Sequence, residues 1–314
     1  MSVLICGSFA YDNIMVFEDR FKNHILPEKI HILNVSFLVP ELRREFGGCA
    51  GNIAFNLKML GGDPLPMGTV GADFAPYETW MAECGINAEH VVIKEQALTA
   101  QAFITTDLDD NQITAFHPGA MNFAHESQVT EAVNVKLGII SPDGRDGMIQ
   151  HAEQFAQANI PFVFDPGQGL PMFDGDDLKR FIAQSTWVSV NDYESELMCE
   201  RTGWSLEQIA GEVQALIVTR GGEGSWIYSG GERIEIPAAP VSKLTDPTGC
   251  GDAYRAGLLY GLSNDLDWQT TGRLASLMGA IKIEHAGTQN HNLTRNKIAA
   301  RYKDAFGSEI TWAD

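Results

Sequence analysis

The segment DPTGCGD, residues 246 to 252, ends on an aspartate that stands directly before a run of good helix formers, AYRAGLLYGL. Pro247 biases Asp246 toward an extended backbone, and Gly249 and Gly251 permit conformations in which successive N–H groups face one concave side. At a helix N-terminus such amides, helped by the macrodipole, form an anion hole. Asp252 then has two readings. It is a helix N-cap, a role that aspartate fills well, or it is a base. As a base it takes a proton from a substrate hydroxyl while the amides of Gly249, Cys250 and Gly251 stabilise a transferred phosphoryl group. Glycine on both sides of Cys250 favours the base, because a cap does not require two permissive residues ahead of it. Arg255, one helical turn later, can pair with Asp252 or reach a phosphate oxygen; an ion-pair or surface role comes before a catalytic one.

Other chemistries lack their signatures. The chain has no GxxxxGK[ST] loop, no HExxH, no GxSxG elbow and no full GxGxxG fingerprint, which removes P-loop kinases, zinc proteases and α/β-hydrolases and puts a dinucleotide-dependent oxidoreductase far behind.

The elements that must position Asp252 read as an α/β core. Short apolar runs at LGIIS (137 to 141), PFVFD (161 to 165), TWVSV (186 to 190) and ALIVTR (215 to 220) alternate with helical patterns around 145 to 158, 175 to 184 and 192 to 211. Such alternation predicts βαβ units and a parallel sheet covered on both faces. VLICG near the N-terminus reads as another buried strand, and CAGNIAFNLKMLGG sets Ile53, Leu57 and Leu60 on one helical face before a glycine stop. Two segments differ. Residues 30 to 39 (IHILNVSFLV) and 99 to 117 (TAQAFITTDLDDNQITAFH) are β-rich without helices between them, the second with a turn signal at Asp109, Asp110 and Asn111. They predict a small separate sheet. Leu33, Val35, Phe37 and Val39 share one face of the first segment, while Ile32 and Leu38 make the other partly apolar, so both sides need a cover and a homodimer through this sheet is expected. The boundaries that follow are a core at 1–10, 47–95 and 121–314 and a β-rich lid at 11–46 and 96–120.

Bulk composition narrows the partners. The 314 residues carry a formal charge of −19, with 41 acidic against 22 basic side chains scattered along the chain, so neither nucleic acid nor an anionic membrane surface is an expected partner. Five widely spaced cysteines without a CxxC pair predict neither a disulfide framework nor a structural zinc site and suit a reducing cytosol. The start, MSVLICGSFAYD, lacks a secretory pattern, and no run of about 18 apolar residues occurs. A cytoplasmic protein is expected.

Five motifs span the chain in order: GSFAYD with Asp12, GGCAGN at 47 to 52, NDYE at 191 to 194, TRGGEG at 219 to 224, and DPTGCGD. In these the chain resembles the ribokinase-type (PfkB) sugar and nucleoside kinases. SFLVPELRREFGGCAGN, FHPGAMN, DPTGCGDAYRAG and HAGTQ are most similar to adenosine kinases of the mycobacterial type. The resemblance implies a ribokinase-like three-layer α/β sandwich, with a mostly parallel central sheet and a small β-sheet lid, and ATP-dependent phosphorylation of the adenosine 5′-hydroxyl in purine salvage. It assigns substrate contacts to Ser8, Asp12, Ser36, Gly48, Asn52, Phe116 and Gln168. ATP contacts fall to Asn191, Thr219, Gly221, Gly287 and Thr288, and a water-mediated Mg²⁺ network to Glu194. Two oxygens of Asp12 suit vicinal ribose hydroxyls, and Phe116 suits stacking on a purine; the bland alternatives are a turn aspartate and a structural phenylalanine. Asp246 and Thr248 resemble the positions that form a monovalent-cation loop in some relatives, which adds K⁺ as a candidate, although Pro247 between them departs from the commoner pattern. Another nucleoside, ribose or a phosphorylated sugar stays open as substrate. The phosphorylated sugar needs a second anion site, for which the lid offers few cations beyond His31, Arg43 and Arg44. A non-catalytic nucleoside-binding protein is the remoter alternative.

Overall fold

The computed structural model describes residues 2–25, 32, 34–109 and 111–312; Leu33 of the expected apolar face, His31 and Asp110 lie outside them. Among the described residues the chain builds a nine-stranded and a four-stranded sheet. The large sheet runs in the order β13 (Glu232–Ile236), β12 (Ser225–Ser229), β11 (Ala215–Thr219), β10 (Trp187–Asn191), β9 (Phe162–Phe164), β8 (Val135–Ile140), β1 (Ser2–Cys6), β4 (Pro64–Gly71), β5 (His90–Lys94). It is parallel from β11 through β5, and only the β11–β12–β13 end is antiparallel.

Continuous apolar runs form these strands because both sheet faces are covered. Along β1, Val3 and Ile5 pack into a cluster with Ile53 and Leu57 of α1 (Cys49–Met59), Leu258 of α7 (Cys250–Ser263) and Leu274 of α8 (Trp268–Ile283). Leu4 and Cys6 pack the other way, with Phe155 of α3 (Arg145–Gln157), Phe181 of α4 (Gly175–Gln184) and Met198 of α5 (Asp192–Thr202). The result is the expected three-layer sandwich. The single helix expected over 192 to 211 is two: Gly203 closes α5 in the left-handed conformation, φ 70°, and a Ser205–Gln208 capping box starts α6 (Leu206–Glu212), so the glycine stop dominates over the continuing periodicity.

The small sheet has the order β3 (Leu42–Gly47), β2 (Ala10–Val16), β6 (Ala100–Thr106), β7 (Gln112–His117). The hairpin expected in 99 to 117 is β6–β7, and Asp107 organises its turn by accepting from the amides of Asp109 and Asn111. The strand expected at 30 to 39 is a correction. Residues 34 to 39 are irregular, and Phe37 instead joins Phe17 and Phe21 with ring centroids 4.8 and 5.0 Å apart. Val35, Phe37 and Val39 are half-buried between exposed neighbours but pair with no strand, and the edge position is taken by β3, whose LRREFG carries the charges that suit an edge strand. Among the described residues no helix is long and apolar enough to cross a membrane.

Candidate active site

Helix α7 points its N-terminus at the carboxyl ends of the parallel strands, where open α/β sheets bind ligands. Gly249 is the N-cap, at φ 79° in the left-handed region that a side chain resists, and no side chain caps the helix. Asp252 is the third helical residue and not a cap. Its Oδ2 accepts from Asn52 Nδ2 at 2.8 Å. Recessed in the cleft but still partly open to it, the carboxyl is pushed up to about 6 by loss of water, against the lowering effects of Asn52, Arg255 and the Cys49 thiol. A Cβ on Gly251 would lie 2.9 Å from Arg255 Nη1 and would push on the guanidinium. Of the three expected anion-hole amides, that of Cys250 donates to Pro247 O at 3.2 Å, while those of Gly249 and Gly251 have no acceptor among the described residues.

Behind Asp252 runs a hydrogen-bond chain whose polarity is set by chemistry. The Trp80 indole on α2 (Ala75–Glu83) can only donate, and it donates to Gln289 Oε1 at 2.9 Å. Gln289 Nε2 must then face outward, donating to Asn52 Oδ1 at 3.0 Å and to Tyr77 OH at 2.6 Å, and Tyr77 OH donates to Gly47 O at 2.9 Å. Asn52 is thereby forced to offer its NH₂ to Asp252. Trp80, Tyr77 and Gln289 had drawn no role from the sequence; only the last lies in a quoted motif, HAGTQ.

Arg255 is buried, with Nη2 2.7 Å from Asp165 Oδ1 and 4.0 Å from Glu194 Oε2. A surface role is thus overturned, and its hydrogen-bonded partner is Asp165, which sequence reasoning missed although it follows β9 directly. Asn191 and Glu194 form a capping box: Asn191 Oδ1 accepts from Glu194 N at 2.7 Å and Glu194 Oε2 from Asn191 N at 2.8 Å. In these atoms NDYE serves as a helix cap. Glu194 Oε1 remains without a hydrogen bond among the described residues, and burial raises this carboxyl, partly countered by Arg255. Thr219 ends β11 beside Asn191 and its hydroxyl donates to Val190 O at 3.4 Å. Gly221, φ 53°, borders open space.

On the sugar side, register aligns Glu45, Asp12, Ala102 and Phe116 in one row across the small sheet. Residues in such a row share a face, so Asp12 and the half-exposed Phe116 point the same way, two strands or about 10 Å apart. Asp12 lies within β2 and is not a turn residue. Its carboxylate has no hydrogen bond among the described residues, the missing Cβ of Gly47 leaves it space, and burial, with Asp246 and Glu45 nearby, raises it to about 6. Gly48, φ 86°, is demanded by the protein: a Cβ would lie 2.5 Å from Ser8 O. Ser8 Oγ accepts from Cys49 N at 3.3 Å at the start of α1. Ser36 is exposed in the irregular segment, and Gln168 is exposed in the turn after β9.

Asp246 clamps two loops through its carboxylate, which accepts from Thr248 N and Gly287 N, both at 2.9 Å. Thr288 is buried, and its hydroxyl donates to Phe46 O in β3. It joins the large sheet's loops to the small sheet. A further residue missed in the sequence, Lys282, donates from Nζ to Asp246 O at 2.8 Å and His285 O at 3.1 Å. Its position four and seven residues after the buried Met278 and Ala275 of α8 was the available signal.

The model of the pfkB family carbohydrate kinases matches residues 13–295. A nucleoside kinase from Methanocaldococcus jannaschii is 32% identical over 87% of this chain and 91% of its own. A Burkholderia thailandensis nucleoside kinase solved with inosine is 55% identical at a TM-score of 0.90, covering 98% of this chain and 99% of that one. The same enzyme solved with ADP-inosine superposes at 0.89, covering 100% of this chain and 98% of that one. With the strand order, the α7 amides and Asp252 already in place, these similarities establish that the chain belongs to the pfkB family of carbohydrate kinases, among relatives that are nucleoside kinases.

Proposed function

We propose that the chain transfers the γ-phosphoryl group of ATP to the 5′-hydroxyl of adenosine, forming AMP and ADP in purine salvage. The observation that carries this is Asp252, a recessed carboxylate at the N-terminus of α7 whose hydrogen-bond partner is the neutral Asn52, while Arg255 is hydrogen-bonded to Asp165. Asp252 takes the hydroxyl proton, the oxygen so freed forms a bond to Pγ, and the bond from Pγ to the β,γ-bridging oxygen breaks, its electrons leaving on ADP. The free amides of Gly249 and Gly251 bind the transferring group. Among the described residues no three carboxylate, histidine or cysteine side chains form a metal cage, which suits a Mg²⁺ held by the ATP phosphates and water with Glu194 Oε1 beside it. That ion neutralises phosphate charge when bound. Asn191, Thr219, Gly221, Gly287 and Thr288 frame the ATP side.

Asp12 receives the ribose hydroxyls and Phe116 the base, with Ser8, Ser36, Gly48, Asn52 and Gln168 around them. The lid offers an additional phosphate little: Arg43 is 3.3 Å from Glu45 and Arg44 is 3.5 Å from Asp73, which supports an unphosphorylated substrate. The small sheet closes on the substrate and excludes water, and its outer face pairs with a second copy of the chain. A second reading, inosine in place of adenosine, is supported by the similar Burkholderia enzyme solved with that nucleoside. ATP with adenosine, inosine, guanosine and ribose in parallel, products resolved by chromatography, tests both: AMP is expected as the main product, IMP would favour the second reading, and no phosphorylated product from any of the four would refute the kinase.

A further inference from the structure

Lysine is rarely buried without a charged partner, because its ammonium gives up water that only strong hydrogen bonding replaces. Lys282 has 0% exposure; its hydrogen bonds go to the neutral carbonyls of Asp246 and His285, and the Asp246 carboxylate, which is bonded to two backbone amides and not to the ammonium, attracts it from nearby. One positive charge among backbone carbonyls is the environment of a dehydrated monovalent cation. Those carbonyls belong to the two loops that flank the start of α7, one before that helix and one after α8. Thr245 N and Asp246 N, both donating to Ile283 O at 2.9 and 3.1 Å, and Gly287 N on the Asp246 carboxylate complete the clasp.

At the potassium site that the sequence resemblance places at Asp246 and Thr248, the ammonium of Lys282 already stands where the cation would meet the Asp246 carbonyl. The carbonyl of Asp246 already accepts from the ammonium, and its two carboxylate oxygens accept from Thr248 N and Gly287 N. We propose that Lys282 is a built-in monovalent cation, a positioning residue that holds the 246–249 and 284–288 loops together so that the chain requires no K⁺. The inference rests on the kinase reading only where nucleotide is concerned.

Two readouts test it, each in KCl and in tetramethylammonium chloride at equal ionic strength: the unfolding midpoint, which needs no nucleotide, and ADP affinity by calorimetry. The wild type is expected to give the same values in both salts. Lys282→Met in tetramethylammonium is expected to melt lower and bind ADP about ten-fold more weakly, the weight of one charged hydrogen bond, with KCl or NH₄Cl restoring most of both. A wild type that is stabilised by K⁺ or binds ADP more tightly in it overturns the proposal, as does a variant equal to wild type or a loss that neither salt repairs. If Lys282→Met does not fold, the wild-type comparison alone decides. Absence of ADP heat from the wild type in either salt counts against the kinase reading, and the melting comparison still decides the role of Lys282.

Discussion

Asp252 can serve as a base only when ionised, and its burial sets the pH at which that happens. Its folded value is raised to about 6, so below that pH it already carries a proton and cannot accept another; kcat should climb as pH rises through about 6 and level off above it. Asp12, also raised to about 6, is proposed to contact the ribose and should then appear in the pH dependence of KM. Asp252→Asn keeps the shape and removes the base, and it should lower kcat by about 10²–10⁴-fold while adenosine still binds in calorimetry. Unchanged turnover would refute the assignment. That Asp252 is more than a cap was legible in the sequence because its glycines exceed the needs of one, and the structure puts it at the third helical position with no capping bond. Lys282 and Asp165 were not singled out, since an isolated Lys in a helix and an Asp after a strand acquire meaning only once burial and partners are known.

At the scale of elements, α1, α2, α7 and the loop after α8 meet in the Trp80–Gln289–Asn52–Asp252 chain, so a change on α2 should reach the base. Trp80→Phe keeps an aromatic ring near Phe46 and Phe55 but removes the donor that fixes Gln289. A buried amide oxygen left without its donor costs about 1–3 kcal/mol of stability. Asn52 is also freed to turn its carbonyl toward Asp252, which removes a hydrogen bond to the charged form and raises the pKa of that carboxyl. The acid limb of the kcat profile of Trp80→Phe should therefore move to higher pH; a limb at the wild-type position would show that Trp80 only packs. Elements were readable wherever one period ruled. The core strands stand close to their apolar runs, whereas β3 escaped notice because LRREFG is a charged edge strand, and residues 34 to 39 misled because Val35, Phe37 and Val39 alternate in burial with their neighbours as a strand does, without having a ladder partner. The hydrogen-bond chain was unreadable for a different reason: its members are 200 or more residues apart between Asn52 and Asp252 or Gln289, and only the assembled fold brings them together.

For the whole molecule, the row that aims Asp12 and Phe116 inward determines what the small sheet shows outward. One or three residues along the strands from that row, Leu42, Phe103 and Ile113 share the opposite face with Met15 and are exposed. Several large apolar side chains on a four-stranded sheet of a chain carrying −19 form a surface that water disfavours. We propose that a second copy with the same face covers it, two-fold pairing matching apolar rows to each other; the dimer expected from the sequence then rests on this face and not on the irregular segment that first suggested it. Light scattering at micromolar concentration should give twice the 34.4 kDa chain mass, and Phe103→Asp, which sets a charge in the middle of the interface, should shift it to one. A wild type of monomeric mass would sink the pairing. A dimer that persists in Phe103→Asp would move the interface to another surface, because a buried unpaired carboxylate in each subunit is more than a small apolar contact can offset.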